Sequence, residues 1–304
     1  MNKVQYDTIC LSGGGVKGFA YIGALEHMEQ NNMLILDNIN HWAGTSAGSM
    51  LSFILSLGYS IKDVKEFIIG FNFLKLIPEP KIDNIIENHG IDNGDKIMII
   101  IKNFLKEKYN MDDITYEEHY KLTNKKLTII GTNYTKGTEI VFNHINTPTM
   151  SVLLSVRISI SIPVIFTPVL YNDDMYLDGG IVNNFPLNHC NKETTLGLYI
   201  KNSTSNKLTN IFTLLIGCVG MFCDTVSRKY CPDINFNDYN IIEIENYDAE
   251  LTNFNLDIDK KLKIIKIGEE SAIKYLDRIK NMKPIEAKIF VDTTTQTDDT
   301  SPTH

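Results

Sequence analysis

Short apolar runs alternate along this chain with segments in which apolar residues recur at helical spacing. Apolar runs that predict strands lie at residues 4–11, 39–43, 127–132, 138–142, 175–177, 196–200 and 241–244. Helical spacing follows the first two runs and recurs at residues 60–73, at 150–160 and, as one helix or a helix pair, at 258–279. Strands that alternate with helices indicate an α/β fold. Residues 81–122 look helical with exposed charge and predict a lobe over the sheet.

Two glycine-rich turns each lie between a predicted strand and a predicted helix. They are Gly13-Gly14-Gly15-Val16-Lys17-Gly18 and Gly44-Thr45-Ser46-Ala47-Gly48. Because both turns follow strands, we expect them at the carboxyl ends of adjacent strands. The second turn matches Gly-x-Ser-x-Gly, which indicates a nucleophilic serine when a strand-to-helix turn exposes the hydroxyl. The sequence predicts that context for Ser46.

The first turn is suited to an anion. Consecutive glycines adopt positive φ and turn successive N–H groups toward one point, and the helix N-terminus behind them adds positive potential. Such a turn can stabilise an oxyanion or a phosphate, or it can be a tight turn without a ligand. A phosphate-loop NTPase is disfavoured because Lys17 precedes Gly18, so that the pattern Gly-x-x-x-x-Gly-Lys-[Ser/Thr] is absent.

A third glycine motif supplies a candidate base, which a serine hydroxyl needs in order to become a good nucleophile. Asp178 ends a predicted strand and precedes Gly179 and Gly180, although Asp-Gly-Gly on its own is typical of a simple turn. An aspartate at its reference pKa of about 3.9 is a poor base, so Asp178 must be partly desolvated next to Ser46. His189 is the rival base, because the other histidine after Asp178 belongs to the C-terminal tail.

Composition narrows the possible classes of function. The chain has 304 residues, 43% of them apolar, which is enough for a large core, and its formal charge of −8 argues against a general nucleic-acid binder. Five scattered cysteines have no metal-ligand spacing and suit buried thiols in a reducing compartment. The acidic pairs Asp112-Asp113 and Asp173-Asp174 lack a calcium-loop pattern and suit solvated turns.

Signals for targeting and membrane insertion are weak. Residues 1–7 are polar and predict no signal peptide, and the most apolar run, residues 211–222, is shorter than the roughly 18 residues that span a bilayer. We interpret that run as a core or cleft-lining helix. Lysines at 260–263 remain available to a lipid surface. Residues 289–304 predict a disordered polar tail, which leaves residues 1–288 as the folded domain.

Four blocks of the sequence resemble, in the same order, those of the patatin-like phospholipases. They are the turn at 13–18, Gly-x-Ser-x-Gly at 44–48, the Arg-x-Ser-to-Pro block at 157–168, and Asp-Gly-Gly with Asn-Asn-x-Pro-Leu at 178–187. The resemblance covers residues 5–285, because residues 266–272 are similar to the family's closing helix. One departure is Ile158, where many relatives carry alanine.

The resemblance implies a three-layer α/β/α fold with a mainly parallel central sheet and an inserted helical lobe. It implies that Ser46 attacks an ester carbonyl and that Asp178 acts as its base without an intervening histidine. No metal or cofactor is implied. We interpret Lys17 as a surface or helix-packing cation and Arg157 as a structural ion pair or a contact to a lipid head group. The first turn would form the oxyanion hole, with the residues Gly13, Gly14, Gly15, Val16, Lys17 and Gly18.

The implied function is that of a lipid acyl hydrolase of the phospholipase A type, working through a Ser-Asp dyad and an acyl-enzyme. Its substrate would be a phospholipid or another acyl lipid, and the protein would be cytoplasmic with peripheral membrane contact. Two alternatives remain open, a lipid-binding scaffold with little turnover and an acyltransferase that uses the same dyad. Some apolar lobe residues either line an acyl-chain channel or belong to ordinary core; they are Phe71, Phe73, Leu74, Leu76 and Ile77.

Overall fold

The computed structural model describes residues 5–76, 87–201, 217–223, 225, 240–245 and 256–281. Its strands are β1 (Thr8–Leu11), β2 (His41–Thr45), β3 (Gly90–Asp92), β4 (Lys126–Asn133), β5 (Thr138–Phe142), β6 (Val164–Phe166), β7 (Val169–Tyr171), β8 (Asp174–Asp178), β9 (Thr195–Lys201) and β10 (Ile241–Glu245). Its α-helices are α1 (Phe19–Gln30), α2 (Ala47–Ser56), α3 (Ile61–Gly70), α4 (Asp95–Tyr109), α5 (Tyr116–Thr123), α6 (Val152–Ser159), α7 (Gly180–Asn183) and α8 (Ile258–Asn281). The predicted tail at 289–304 and residues 211–216 of the apolar run at 211–222 lie outside the described residues. The second half of that run is helical, but Met221 and Phe222 are each 53% exposed, so the interpretation as a core helix is wrong for these side chains.

The central sheet has the strand order β10-β9-β1-β2-β4-β8-β7, and β5 also pairs with β4. Strands β10, β9, β1, β2 and β4 are parallel, whereas β5, β8 and β7 join as antiparallel strands. Every residue of β1 is buried, so both faces of the sheet are covered there. The prediction of a three-layer α/β/α fold with a mainly parallel central sheet is confirmed.

Helices α1 and α8 approach each other closely at two glycines. A Cβ atom at Gly23 would overlap the backbone carbonyl of Ile265, and one at Gly268 would overlap that of Ala20. Any larger residue would therefore push the two helices apart. Helix α8 is a single helix of 24 residues, which excludes a helix pair over 258–279.

Lys261, near the start of α8, is buried. Its side chain is therefore not available to a lipid surface, contrary to the expectation for the lysines at 260–263. The Lys261 ammonium donates hydrogen bonds to the carbonyls of Ile69 at 3.1 Å and Phe71 at 2.6 Å. It also lies 5.1 Å from the ring centre of Phe73. Since these carbonyls lie at the end of α3, Lys261 acts as a cationic cap of that helix.

The lobe combines helices with a short strand. Helices α4 and α5 occupy most of its described part, but β3 precedes them and pairs in parallel with β6 in a separate two-stranded sheet. The prediction of helix throughout 81–122 is wrong at β3. Strands of three residues, such as β3, β6 and β7, are too short to show a period in the sequence.

Local capping signals explain where two helices begin. The Ser60 side chain accepts the Asp63 N–H and the Asp63 carboxylate accepts the Ser60 N–H, a capping box that starts α3. Thr115 and Glu118 form the same motif at α5. Within the described part of the chain, no helix is both long and apolar enough to cross a bilayer.

Candidate active site

Strands β2 and β8 lie end to end along one edge of β4. Thr45, the last residue of β2, pairs with Ile130, and Asp178, the last residue of β8, pairs with Gly131. Strand β5 pairs with the same part of β4 and therefore occupies the opposite edge. Because β2 and β8 run in opposite directions, the residue that follows Thr45 emerges beside Asp178.

That residue is Ser46, which forms the sharp turn between β2 and α2. Its backbone has φ 53° and ψ −123°, a strained conformation that costs about 1–3 kcal/mol for a residue other than glycine. A Cβ at Gly44 would overlap the backbone carbonyl of Gly48, so this tight turn requires glycine at position 44. The Ser46 N–H donates to Ser159 Oγ at 2.9 Å, and this bond from α6 stabilises the turn.

The Ser46 hydroxyl donates a hydrogen bond to the Asp178 carboxylate, with Oγ and Oδ2 2.7 Å apart. The other carboxylate oxygen, Oδ1, accepts the Gly180 N–H at 2.7 Å. The Asp178 backbone is also held: its N–H donates to the Ser161 carbonyl at 2.9 Å, and its carbonyl accepts the Thr132 hydroxyl at 2.7 Å. The carboxylate is therefore fixed within reach of the Ser46 proton.

Burial gives Asp178 the properties of a base. Its side chain is 4% exposed. Loss of solvation raises the pKa of Asp178 to about 7, and the hydrogen bonds from Ser46 and Gly180 oppose that rise. A group whose pKa lies near neutral pH can both accept a proton and return it. The desolvation that the sequence requires of an aspartate base is thus present.

The first glycine turn lies beside Ser46. A Cβ at Gly13 would be 3.2 Å from the Ser46 Cβ, and Gly15 and Val16 line the same cavity as Ser46. Among the described residues, no hydrogen bond uses the N–H groups of Gly14, Gly15 or Val16. Three consecutive backbone donors of this turn are therefore available to an anion.

Other members of the turn have their N–H groups already in use. The Gly13 N–H donates to the Asn184 carbonyl at 3.0 Å, and the Lys17 N–H donates to the Gly14 carbonyl at 3.1 Å. Lys17 itself is 4% exposed. It is therefore not a surface cation, and its aliphatic part packs in the interior.

An apolar cavity of about 150 Å³ extends from Ser46 between helices α2, α3 and α4. Among its described lining residues, Ser46 alone carries a polar side chain. Ser46 is 6% exposed, so its hydroxyl is not open at the surface as the turn motif predicts. Of the five lobe residues that either line an acyl-chain channel or belong to ordinary core, Phe73 and Leu76 line this cavity. Phe71 and Leu74 do not line it, and Ile77 lies outside the described residues.

His189, the rival base, is bound elsewhere. Its Nε2 lies 2.9 Å from Glu139 Oε1, and the same carboxylate oxygen accepts the Asn183 amide at 2.8 Å. Within the described part, no hydrogen bond joins His189 to Ser46 or Asp178. The structure therefore holds the histidine in a separate polar network.

Arg157 binds main-chain and hydroxyl oxygens. Its guanidinium donates to the Asn93 carbonyl at 2.8 Å, the Ser161 hydroxyl at 2.5 Å and the Thr167 carbonyl at 2.8 Å. No carboxylate of the described chain forms an ion pair with it, so the expectation of a structural ion pair is wrong. Because Ser161 also supports the Asp178 backbone, Arg157 connects the lobe to the segment that positions the carboxylate.

Two polar residues beside the serine are not assigned a role by the sequence alone. Ser159, which stabilises the Ser46 turn, belongs to the Arg-x-Ser block, but its partner lies 113 positions away. Asn184 belongs to the Asn-Asn-x-Pro-Leu motif, and this motif is the one feature of the sequence that could have pointed to a role for it at the site. No group of His, Cys, Asp and Glu side chains in the described residues is arranged to hold a metal ion.

Comparison with known proteins identifies relatives of this chain. A family model described as patatin-like phospholipase matches residues 9–190. A protein named probable lipid hydrolase 463L, from Invertebrate iridescent virus 6, is 32% identical over 184 residues, which cover 60% of this chain and 62% of the relative. The uncharacterized protein R571 of Acanthamoeba polyphaga mimivirus is 27% identical over 294 residues, covering 92% of this chain and 97% of that protein.

Solved structures share the fold. VipD from Legionella pneumophila superposes with a TM-score of 0.65 at 18% identity, covering 90% of this chain and 67% of VipD. The type III effector ExoU superposes with a TM-score of 0.53 at 14% identity, covering 91% of this chain and 54% of ExoU. At these identities the likeness concerns the fold alone.

Proposed function

Because the chain belongs to the patatin-like phospholipase family, we propose that it is a lipid acyl hydrolase whose nucleophile is Ser46 and whose base is Asp178. Family membership and the name of the viral relative support lipid hydrolase activity in general. The finer proposal is a phospholipase A-type reaction through an acyl-enzyme. One observation carries it: the Ser46 hydroxyl donates a 2.7 Å hydrogen bond to a buried carboxylate at an apolar cavity.

In the first half of the proposed reaction, the Ser46 hydroxyl oxygen attacks the carbonyl carbon of an acyl ester while Asp178 accepts the hydroxyl proton. The negative charge that develops on the carbonyl oxygen is stabilised by the N–H groups of Gly14, Gly15 and Val16. Collapse of the tetrahedral intermediate breaks the ester bond, and Asp178 returns the proton to the departing alkoxide. The acyl group is then esterified to Ser46.

The shape of the site supports an acyl lipid as substrate. A lining without charged side chains suits a hydrocarbon chain, whereas a sugar or peptide would leave polar groups unpaired there. The scissile carbonyl would sit at Ser46, with the alcohol part of the lipid toward Asp178 and the first glycine turn. Such a protein would meet its substrate by peripheral contact with lipid aggregates. We assign this activity to the predicted folded domain at residues 1–288.

Incubation with a mixed phospholipid extract tests the proposal, with released fatty acids and lysolipids quantified by mass spectrometry. We expect equimolar fatty acid and lysolipid from the wild-type protein and neither from Ser46→Ala. The Ser46→Ala protein must retain the far-UV circular dichroism spectrum and melting temperature of the wild type to serve as a control. Lipid binding by the wild-type protein without product would contradict hydrolysis and favour a lipid-binding scaffold.

A further inference from the structure

The side chain of Asn184 is packed between two glycines of the site. It is 5% exposed. A Cβ at Gly13 would overlap Asn184 Oδ1, and a Cβ at Gly180 would lie 2.9 Å from the same oxygen. Each of these two Cβ positions is closer to Asn184 Oδ1 than a real Cβ atom comes to a neighbouring atom. Glycines at 13 and 180 therefore leave room for the carboxamide of Asn184, in addition to shaping their own turns.

The same contacts place the carboxamide next to the two reacting residues. The position a Cβ would take at Gly13 is 3.2 Å from the Ser46 Cβ, and the position at Gly180 is 3.0 Å from Asp178 Oδ1. Asn184 Oδ1 and Asp178 Oδ1 are therefore neighbouring acceptor atoms beside Gly180, and Cys223 Sγ, 3.3 Å from the same Cβ position, lies next to them. Ser46 lies close to the same carboxamide on the side of Gly13.

The Asn184 amide has no hydrogen-bond partner among the described residues. Its neighbour Asn183 differs, because the Asn183 amide donates to Glu139 at 2.8 Å and to Asn188 Oδ1 at 2.9 Å. Buried side-chain amides are generally hydrogen-bonded to protein or water. The Asn184 carboxamide is not among the solvent-excluded polar atoms that lack a partner, so its polar end still reaches solvent. A polar group that water can reach beside a serine and a carboxylate suits a small polar ligand.

We propose that Asn184 Oδ1 and the Asp178 carboxylate together hold the water that hydrolyses the acyl-Ser46 intermediate, so that Asn184 makes water the preferred acyl acceptor. This inference rests on the proposed function. The two acceptor oxygens are neighbours, and water has two O–H donors that can satisfy both at once. An alcohol has a single O–H and can satisfy only one of the two acceptors.

In this step the water oxygen bonds to the acyl carbonyl carbon while one water proton passes to Asp178. The second O–H stays hydrogen-bonded to Asn184 Oδ1 and fixes the direction of attack. Collapse of the tetrahedral intermediate breaks the bond between the carbonyl carbon and Ser46 Oγ. Ser46 Oγ takes the proton back from Asp178, and the free fatty acid leaves. Asn184 neither gains nor loses a proton.

Competition between water and an alcohol for the same acyl-enzyme tests the proposal. The probe is p-nitrophenyl butyrate with added glycerol, and the measured quantity is the ratio of glyceryl butyrate to butyrate. This ratio does not depend on how much of a variant is folded, because both products come from the same acyl-enzyme. We expect Asn184→Ala to raise the ratio about tenfold, the factor for loss of one hydrogen bond in the hydrolytic step.

Two further variants separate this role from a structural one. Asn183→Ala, a matched change at the neighbouring asparagine, should leave the ratio at the wild-type value. Asn184→Asp keeps an acceptor oxygen in the same place and should restore a ratio close to that of the wild type. An unchanged or lower ratio in Asn184→Ala, or the same increase in Asn183→Ala, would overturn the assignment.

Mass spectrometry of the protein distinguishes failure of the water assignment from failure of the proposed function. Wild-type protein quenched during turnover should carry one butyryl group on the peptide that contains Ser46. If that adduct forms and the ratio does not respond to Asn184→Ala, the water assignment alone is wrong. If no adduct forms on Ser46 in any variant, the proposed function fails and the water assignment fails with it.

Discussion

The Ser46 hydroxyl and the Asp178 carboxylate are joined by a 2.7 Å hydrogen bond although 132 positions separate the two residues in the chain. The contact arises because β2 and β8 end at neighbouring positions of β4. Both residues are almost fully buried, so the proton of the serine hydroxyl faces a carboxylate in a medium of low polarity. Such a pair can exchange a proton without a histidine between them.

The first prediction concerns the identity of the base. Asp178→Asn should lower kcat by on the order of 10²–10⁴-fold, because the amide cannot accept the Ser46 proton. His189→Gln should retain most activity, since a glutamine amide can still bind Glu139. Steady-state kinetics on a soluble butyrate ester would measure both. Loss of activity in a folded His189→Gln protein to the level of Ser46→Ala would exclude the dyad.

A second prediction concerns the pH dependence of catalysis. Burial raises the pKa of Asp178 to about 7, so the carboxylate is mostly ionised only above that pH. Only the ionised carboxylate can accept the Ser46 proton. The value of kcat/KM should fall about tenfold per pH unit below pH 7 and level off above it. A profile that stays flat down to pH 5 would mean that the base has the pKa of an ordinary solvated aspartate.

The same pKa affects stability. Between the unfolded value of 3.8 and the folded value of about 7, folded Asp178 keeps a proton that the unfolded chain releases. The free energy of unfolding that this residue contributes is therefore highest below pH 4 and falls as pH rises through 7. Asp178→Asn removes this titration. The melting temperature of the variant minus that of the wild type should therefore be larger at pH 8 than at pH 4. The same difference in melting temperature between variant and wild type at pH 4 and at pH 8 would contradict a raised pKa of Asp178.

A fourth prediction concerns the cavity. Val64 is 2% exposed and lines it from α3, so Val64→Phe should fill part of the space for an acyl chain. The ratio of kcat/KM for a long-chain ester to that for a butyrate ester should fall severalfold. Ile61→Phe is the matched control, because Ile61 is buried on the same helix but does not line the cavity. A similar fall in both variants would indicate general damage from overpacking, which costs about 1–3 kcal/mol.

The sequence predicted the main fold and the candidate reacting residues because both depend on local patterns. Strands such as β1 and β9 are mostly apolar, and Ser46 and Asp178 each lie in a short motif next to a strand. The burial of Lys261 depends on contact between α8 and the end of α3, residues 190 and 192 positions apart. Local patterns carry no information about such contacts. The same limit applies to Ser159 and Asn184, whose positions beside Ser46 are set by the sheet.

The identity of the nucleophile is the central claim, and active-site labelling tests it most directly. A fluorophosphonate should modify the wild-type protein once, on the peptide that contains Ser46, with the site assigned by tandem mass spectrometry. Ser46→Ala should remain unlabelled, and Asp178→Asn should be labelled more slowly because its serine has lost its base. Modification of the wild-type protein at any other residue, or undiminished labelling of Ser46→Ala, would contradict the account.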